Sequence, residues 1–194
     1  REDARAVGAL ARGARKSVQN GSRERAEREV REGIEAGRVV YVVGASQAGK
    51  TAAVRRAIAS SGRGFTALRV DLQGIGVDGV TRETFYYSTA REFARGGRVD
   101  KGHVTGAFDA TSDPALALSR SLRGIIAASS PAVVVVDEAD LLVEYAFAAE
   151  ALRVISTAVR DSGASAVFIS IHTHTAIRRV SDELIVVDGT EGGV

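Results

Sequence analysis

The most regular feature of the sequence is a set of apolar runs that do not alternate with polar residues. Residues 39–43, 133–136 and 164–171 are rich in Val, Ile and Phe, and residues 65–70 and 184–187 form two further apolar runs. Continuous β-branched runs are typical of strands that are buried on both faces, as in a parallel sheet. The pattern therefore predicts five strands, the second of which ends on Asp71.

The segments between these runs have helical periodicity. A surface helix is predicted over residues 22–34, with an apolar stripe at Ala26, Val30 and Ile34. Further helices are expected over 52–59, 82–95, 115–128, 141–160 and 176–180, whereas 74–79 and 96–114 are expected to be irregular. Strands alternating with helices predict an α/β fold, a three-layer α/β/α sandwich around a mostly parallel five-stranded sheet.

Composition and charge narrow the class of protein. The 194 residues carry a formal net charge of +2 and include no Cys, so disulfides and thiolate metal sites are excluded. No apolar run reaches the roughly 18 residues of a membrane span, and we expect a cytoplasmic protein with no membrane span. Residues 1–21 are expected to form a basic N-terminal arm or helix, which suits either a solvated face or a contact with nucleic acid.

The strongest chemical signal is the segment Gly44-Ala45-Ser46-Gln47-Ala48-Gly49-Lys50-Thr51, between the first strand and a helix. It matches G-x-x-x-x-G-K-[ST], a loop whose backbone N–H groups surround phosphates at the start of a helix. Lys50 is expected to reach the β- and γ-phosphates, and the Thr51 hydroxyl is expected to bind Mg²⁺. We therefore predict a nucleotide site that uses ATP and Mg²⁺.

Acidic residues end the most strongly apolar strand. Asp137 and Glu138 directly follow Val133-Val134-Val135-Val136. Ligands bind at the carboxyl ends of strands in open α/β sheets. Asp137 is expected to hold Mg²⁺ through water, and Glu138 to orient and deprotonate the attacking water. A structural alternative is that both acids only start the next helix.

Polar residues also end the fourth strand, at Ser170 and His172. Side chains at this position can sense the γ-phosphate of a bound nucleotide. A histidine that only satisfies a turn is the alternative, and the sequence leaves both open.

These motifs together resemble the AAA+ branch of P-loop ATPases of the ASCE type, within it the archaeal ATPases related to origin-recognition initiators and STAND switches. Arg23-Glu24-Arg25-Ala26-Glu27 is similar to the "GRExE" box of that group, and Val133 to Glu138 looks like its Walker B motif. The resemblance implies an ATPase domain over 22–194 that drives a partner or a homo-oligomer, with DNA as a permitted partner.

The resemblance also implies where an arginine finger lies. AAA+ proteins supply it from a neighbouring subunit, between the fourth and fifth strands, where this sequence has Arg178 and Arg179. A solvated pair on a surface helix is the alternative. We expect the helical lid of that group to be absent, and the sequence lacks a clear Asn at the sensor 1 position, so fast hydrolysis by one subunit is not expected.

Two other families share local features. Asp137-Glu138-Ala139-Asp140 resembles a DEAD-box helicase, and the segment from His172 to Gly189 resembles the switch-histidine region of ABC ATPases. An ABC-like or RecA-like ATPase and a DEAD-box-like ATPase are therefore the alternatives. The helicase and ABC signature motifs are otherwise missing. A functional alternative of a different class is a nucleotide-gated switch with negligible hydrolysis.

Overall fold

A single parallel sheet forms the centre of the molecule. The computed structural model describes residues 21, 23–75, 80–144 and 146–187. The strands are β1 (Val39–Val43), β2 (Thr66–Asp71), β3 (Ala132–Asp137), β4 (Ser165–Ser170) and β5 (Glu183–Val186). Their order across the sheet is β2-β3-β4-β1-β5, and every neighbouring pair is parallel. The predicted three-layer α/β/α fold with a five-stranded sheet is therefore confirmed.

Helices cover both faces of the sheet. They are α1 (residues 23–35), α2 (Lys50–Ser60), α3 (Leu72–Ile75), α4 (Arg82–Gly96), α5 (Lys101–Asp109), α6 (Pro114–Ala128), α7 (Leu141–Glu144), α8 (Ala146–Asp161) and α9 (Thr175–Val180). Helices α1 and α2 pack on one face, and α4, α5, α6, α8 and α9 contribute to the core on the other. The fully buried Ala26, Val30 and Ile34 confirm the apolar stripe predicted for the first helix.

The region 96–114 was expected to be irregular, and this prediction is wrong. Helix α5 begins there at the N-cap Asp100, whose carboxylate accepts a hydrogen bond of 2.7 Å from the Gly102 N–H. Val104 is fully buried, and the ring of Phe108 packs edge-on against Tyr87 with centroids 5.2 Å apart. Tertiary packing of these apolar side chains outweighs the low helix propensity of the glycines.

Two smaller expectations also change. Leu72–Ile75 forms the short helix α3, so the predicted loop at 74–79 is helical at its start, while residues 76–79 lie outside the described residues. The helix predicted over 141–160 is described as α7 and α8, on either side of residue 145, which is also outside the described part. The basic segment 1–20 lies outside it too.

Strand order places the functional motifs at one edge of the sheet. Strand β4 lies between β1 and β3. Its residue Ser170 lies beside Val43 of β1, and its residue Phe168 lies beside Val136 of β3. All five strands run in the same direction, so their carboxyl ends lie together. The phosphate-binding loop after β1 and the acids after β3 therefore face the same space.

Candidate functional site

The predicted phosphate-binding loop connects β1 directly to α2. Gly49 is the N-cap of α2 and has φ +91°, and Gln47 has φ +63°. A side chain on Gly44 would place its Cβ 2.2 Å from the backbone oxygen of Val187, which leaves no space for any residue other than glycine. The loop therefore turns tightly in front of the helix N-terminus, where backbone N–H groups favour an anion.

The loop is also supported from its outer side by α1. Arg23 donates a hydrogen bond of 3.2 Å from Nε to the backbone oxygen of Ala48. The same side chain is so close to Gly49 that an added Cβ would lie 3.0 Å from Arg23 Nε. The segment that resembles the "GRExE" box thus contacts the loop directly, a contact that sequence spacing does not predict.

Lys50 is held inside the loop that precedes it. Its Nζ donates hydrogen bonds of 2.6 Å to the Gly44 carbonyl oxygen and 2.9 Å to the Ala45 carbonyl oxygen, and the residue is 9% exposed. A nearly buried ammonium group requires hydrogen-bonding partners, and these two carbonyls provide them. The ammonium is therefore located inside the loop that is predicted to bind phosphate.

Thr51 and Asp137 meet across the space between α2 and β3. The Thr51 hydroxyl lies 3.1 Å from Asp137 Oδ2 and 3.4 Å from Oδ1. A hydroxyl and a carboxylate are hard oxygen donors of the kind that Mg²⁺ prefers. Both residues were predicted to hold the metal, and the structure brings them together.

Glu138 follows Asp137 in a strained conformation. Its φ is +54°, a region that non-glycine residues rarely adopt, and its N–H donates to Asp137 Oδ1 at 3.2 Å. Burial raises the pKa of Glu138 above its ordinary value, and the nearby charges of Asp137, Asp140 and Asp71 raise it further. Glu138 thus lines the cleft in a backbone conformation that carries an energetic cost.

The end of β4 carries a hydrogen-bonded cluster centred on Tyr41. The Tyr41 hydroxyl lies 2.8 Å from Ser170 Oγ, donates to the His172 carbonyl oxygen at 2.7 Å and accepts from the His174 N–H at 3.0 Å. Ser170 is 1% exposed and lines the cleft, whereas His172 is exposed and not among the lining residues. The sensor roles of Ser170 and His172 stay predictions.

Asp140 joins this cluster to the acidic motif. Its carboxylate accepts hydrogen bonds from the Ile171 N–H at 2.9 Å, the His172 N–H at 3.2 Å and His174 Nε2 at 2.9 Å. Burial opposes ionisation of Asp140, but the hydrogen bonds from Ile171, His174 and His172 together lower its pKa. The loop after β4 is therefore tied to the turn that carries Glu138.

Arg178 and Arg179 lie on the exposed surface of α9. Arg178 donates from Nη1 to the Ser181 carbonyl oxygen at 3.1 Å, which satisfies the C-terminal end of the helix. Arg179 has no side-chain partner among the described residues. Neither residue lines the cleft within this chain, so their role as fingers in a neighbouring subunit stays a prediction.

Arg69 on β2 was not predicted to belong to the site. Its Nη2 lies 2.6 Å from Asp137 Oδ2, although the two residues are on different strands. The register of β2 and β3 explains the contact. Arg69 lies beside Val135 of β3, and two residues further along the strands Asp71 lies beside Asp137. The sequence indicates that β2 carries polar residues, but it does not indicate that β2 pairs with β3 in the sheet.

These elements enclose a cleft of about 540 Å³. Its lining includes loop residues, both acids and the end of β4, namely Ser46, Gln47, Gly49, Lys50, Thr51, Ala52, Arg55, Arg56, Asp137, Glu138, Ile169, Ser170 and Ile171. In the described part of the chain, no group of three or more His, Cys, Asp and Glu side chains could hold a metal by itself. The donors present fit a cation held jointly by Thr51, Asp137 and the phosphates.

Comparison with known proteins agrees with this geometry. The family model described as "AAA domain" matches residues 33–180, most of the chain. The chain belongs to the AAA domain family. This match favours the first of the families that the sequence resembled over the helicase and ABC alternatives. No curated protein matches at a significant level.

Solved structures of AAA-type and related ATPases share the fold at low sequence identity. The Walker-type ATPase PABY2304 of Pyrococcus abyssi matches with a TM-score of 0.56 and 16% identity, over 86% of this chain and 53% of that chain. The ORC1 protein of Aeropyrum pernix, solved in complex with DNA, has a TM-score of 0.62 and 16% identity, over 85% and 44%. This AAA chain therefore spans about half the length of those proteins.

A eukaryotic assembly shares the fold as well. The Drosophila ORC structure, bound to AT-rich DNA and Cdc6, matches with a TM-score of 0.51 and 14% identity, over 98% of this chain and 61% of that chain.

Within the described residues, no helix has the length and apolar character needed to cross a membrane.

Proposed function

We propose that this AAA domain binds ATP with Mg²⁺ and hydrolyses it to drive a partner or an oligomer. The observation that carries the proposal is the meeting of Lys50, Thr51, Asp137 and Glu138 around one cleft. Lys50 and Thr51 belong to the loop motif, whereas Asp137 and Glu138 belong to the acidic motif at the end of β3. A loop that only connected a strand to a helix would not require the acids to face it. The arrangement combines a cation for phosphates, oxygen donors for a metal and a carboxylate base.

The loop and its lysine supply binding. Backbone N–H groups of residues 44–51 donate to the phosphates, and Lys50 exchanges its bonds with the Gly44 and Ala45 carbonyls for bonds with phosphate oxygens. Thr51 and Asp137 would hold Mg²⁺, which neutralises charge on the phosphates when it is bound. Ser170 and His172 sense whether the γ-phosphate is present, and this state is passed to the loop that precedes α9.

Glu138 acts as the general base. It accepts a proton from the water that attacks the terminal phosphorus, and the phosphoanhydride oxygen leaves on ADP. The raised pKa of Glu138 makes its carboxylate a stronger base than an ordinary glutamate. Glu138 lines the cleft although its positive φ is costly for a residue other than glycine, as is common at functional sites.

Replacement of Glu138 by Gln tests this role. The amide keeps the shape of the side chain but cannot accept the proton, so turnover should fall at least about 100-fold while ATP affinity is retained. Glu92→Gln, on α4, is the matched control and should hydrolyse at the parental rate. Parental turnover in Glu138→Gln would remove Glu138 from the role of base.

The partner of the domain is proposed from charge and from fold relatives. The ORC1 structure of Aeropyrum pernix includes DNA, and residues 1–21 of this chain are basic. We infer that DNA is a partner through that arm, in a cytoplasmic protein with a domain over 22–194. An ATPase assay with and without duplex DNA, on the full chain and after removal of residues 1–20, tests the link. Stimulation that survives the truncation would contradict the role of the arm.

A second candidate is a nucleotide-gated switch that hydrolyses negligibly. The observation in its favour is that Asp137 is already paired with Arg69 at 2.6 Å, which reduces the charge available to a metal ion. The two candidates differ in turnover. A switch binds ATP and ADP with different consequences for a partner, and it shows no phosphate release above background.

A further inference from the structure

Both oxygens of the Asp137 carboxylate accept hydrogen bonds from donors of the protein itself. Oδ2 is 2.6 Å from Arg69 Nη2 and 3.1 Å from the Thr51 hydroxyl, and Oδ1 accepts from the Glu138 N–H. The Asp137 side chain is only 8% exposed, so its charge requires a cationic partner. In this structure that cation is the guanidinium of Arg69.

Arg69 is only partly satisfied by this ion pair. Its Nε is buried and has no hydrogen-bond partner within the described part of the chain. A buried donor without an acceptor raises the free energy of the state that contains it. The Arg69 side chain is 31% exposed, so part of it contacts solvent and is not enclosed by packing on every side.

We propose that Arg69 is a positioning residue that substitutes for the divalent cation at Asp137 and thereby weakens the dependence of nucleotide binding on Mg²⁺. The inference rests on the proposed ATP site. Arg69 and a metal ion compete for the same carboxylate oxygen, and their like charges repel at this distance. When the metal is absent, Arg69 keeps Asp137 neutralised beside the phosphates and reduces their repulsion.

The test measures the affinity for a non-hydrolysable ATP analogue, adenylyl imidodiphosphate, by calorimetry in Mg²⁺ and in EDTA. The dissociation constant in EDTA divided by the dissociation constant in Mg²⁺ reports how strongly binding depends on the metal. In Arg69→Gln this ratio should rise about tenfold, the size expected for one pair of charges at a partly exposed site. Arg69→Lys retains the charge and should return the ratio toward the parental value.

Arg123→Gln is the matched control. Arg123 also forms an ion pair between elements, with Asp161, but it is about half exposed and lies on α6. Its replacement should leave the ratio unchanged. An unchanged ratio in Arg69→Gln, with unfolding curves showing that the variant is folded, would overturn the inference. A parent that binds no nucleotide under either condition would instead refute the proposed ATP site.

A measurement on the unmodified protein covers the case in which Arg69→Gln fails to fold. The buried Nε–Hε group of Arg69 is protected from solvent and should give an observable NMR signal, assigned with Arg69→Lys. Addition of Mg²⁺ to the analogue-bound protein should shift this signal as the guanidinium leaves Asp137. A signal that does not respond to Mg²⁺ would contradict the competition.

Discussion

The hydroxyl of Thr51 lies 3.1 Å from Oδ2 of Asp137, although the residues are separated by 86 positions in the sequence. The contact joins the start of α2 to the end of β3. Strand β4 lies between β1 and β3, so the two motifs approach from either side of it. Two segments that each resemble part of a nucleotide site thus become one site through the order of strands.

Replacement of Asp140 by Asn should destabilise the domain. The Asp140 carboxylate accepts three hydrogen bonds from the loop after β4, and an amide oxygen with an NH₂ group cannot accept them all. The loss at neutral pH should be about 1–3 kcal/mol, measured by urea unfolding. Asp109→Asn, at the exposed end of α5, is the control.

The pH dependence of the same variant provides a second check. Because the pKa of Asp140 is lowered in the folded state, its stabilising contribution is present above its ordinary value of 3.8. That contribution is lost as the pH falls through the lowered folded value. The difference between the parent and Asp140→Asn should therefore shrink below pH 3.8, and a difference independent of pH would contradict the assignment.

Replacement of Glu138 by Gln should stabilise the domain at neutral pH. The folded-state pKa of Glu138 is raised by burial and by neighbouring carboxylates, so its charged form is disfavoured in the folded protein. Removing the charge should raise the unfolding midpoint by roughly 1–3 °C at neutral pH. The gain should vanish below the ordinary pKa of 4.5, where the unfolded chain is protonated as well. A midpoint that decreases at neutral pH would contradict the predicted repulsion.

Activity per subunit should rise with protein concentration if α9 supplies an arginine finger to a neighbouring subunit. A finger supplied in trans is worth about 10³ to 10⁵ in rate for phosphoryl transfer. Arg179→Ala and the double replacement of Arg178 and Arg179 should abolish the rise while ATP binding is retained. Arg153→Ala, exposed on α8, is the control. Constant specific activity over a dilution series in which oligomers demonstrably form would exclude these arginines as fingers.

Local sequence patterns predicted the sheet well because its strands are buried on both faces. Each apolar run became a strand, and the loop between the first run and α2 is located as its motif indicated. Helix α5 was missed because its glycines and polar residues resemble a loop. Its stability comes from Val104 and Phe108 packing against other elements, which local propensity does not include.

Contacts across strands were less accessible to sequence reasoning. Arg69 reaches Asp137 only because β2 pairs with β3 in one particular register, and no local pattern fixes that register. The cluster of Tyr41 with Ser170 likewise requires that β1 lies beside β4. The sequence did show that Arg69 is a polar residue on β2, which lies at the edge of the sheet. This observation indicated a site only once β3 was known to be the neighbouring strand.

We propose that the loop around Lys50 binds the phosphates of ATP, and calorimetry on Lys50→Ala is the decisive test of this binding. Lys50 Nζ is held 2.6 Å from the Gly44 carbonyl oxygen, inside the loop. Loss of its charge-assisted bonds should weaken ATP binding by about 10- to 100-fold in a protein that remains folded. Lys101→Ala, exposed on α5, should bind ATP as the parent does. Parental ATP affinity in Lys50→Ala would refute phosphate binding by this loop.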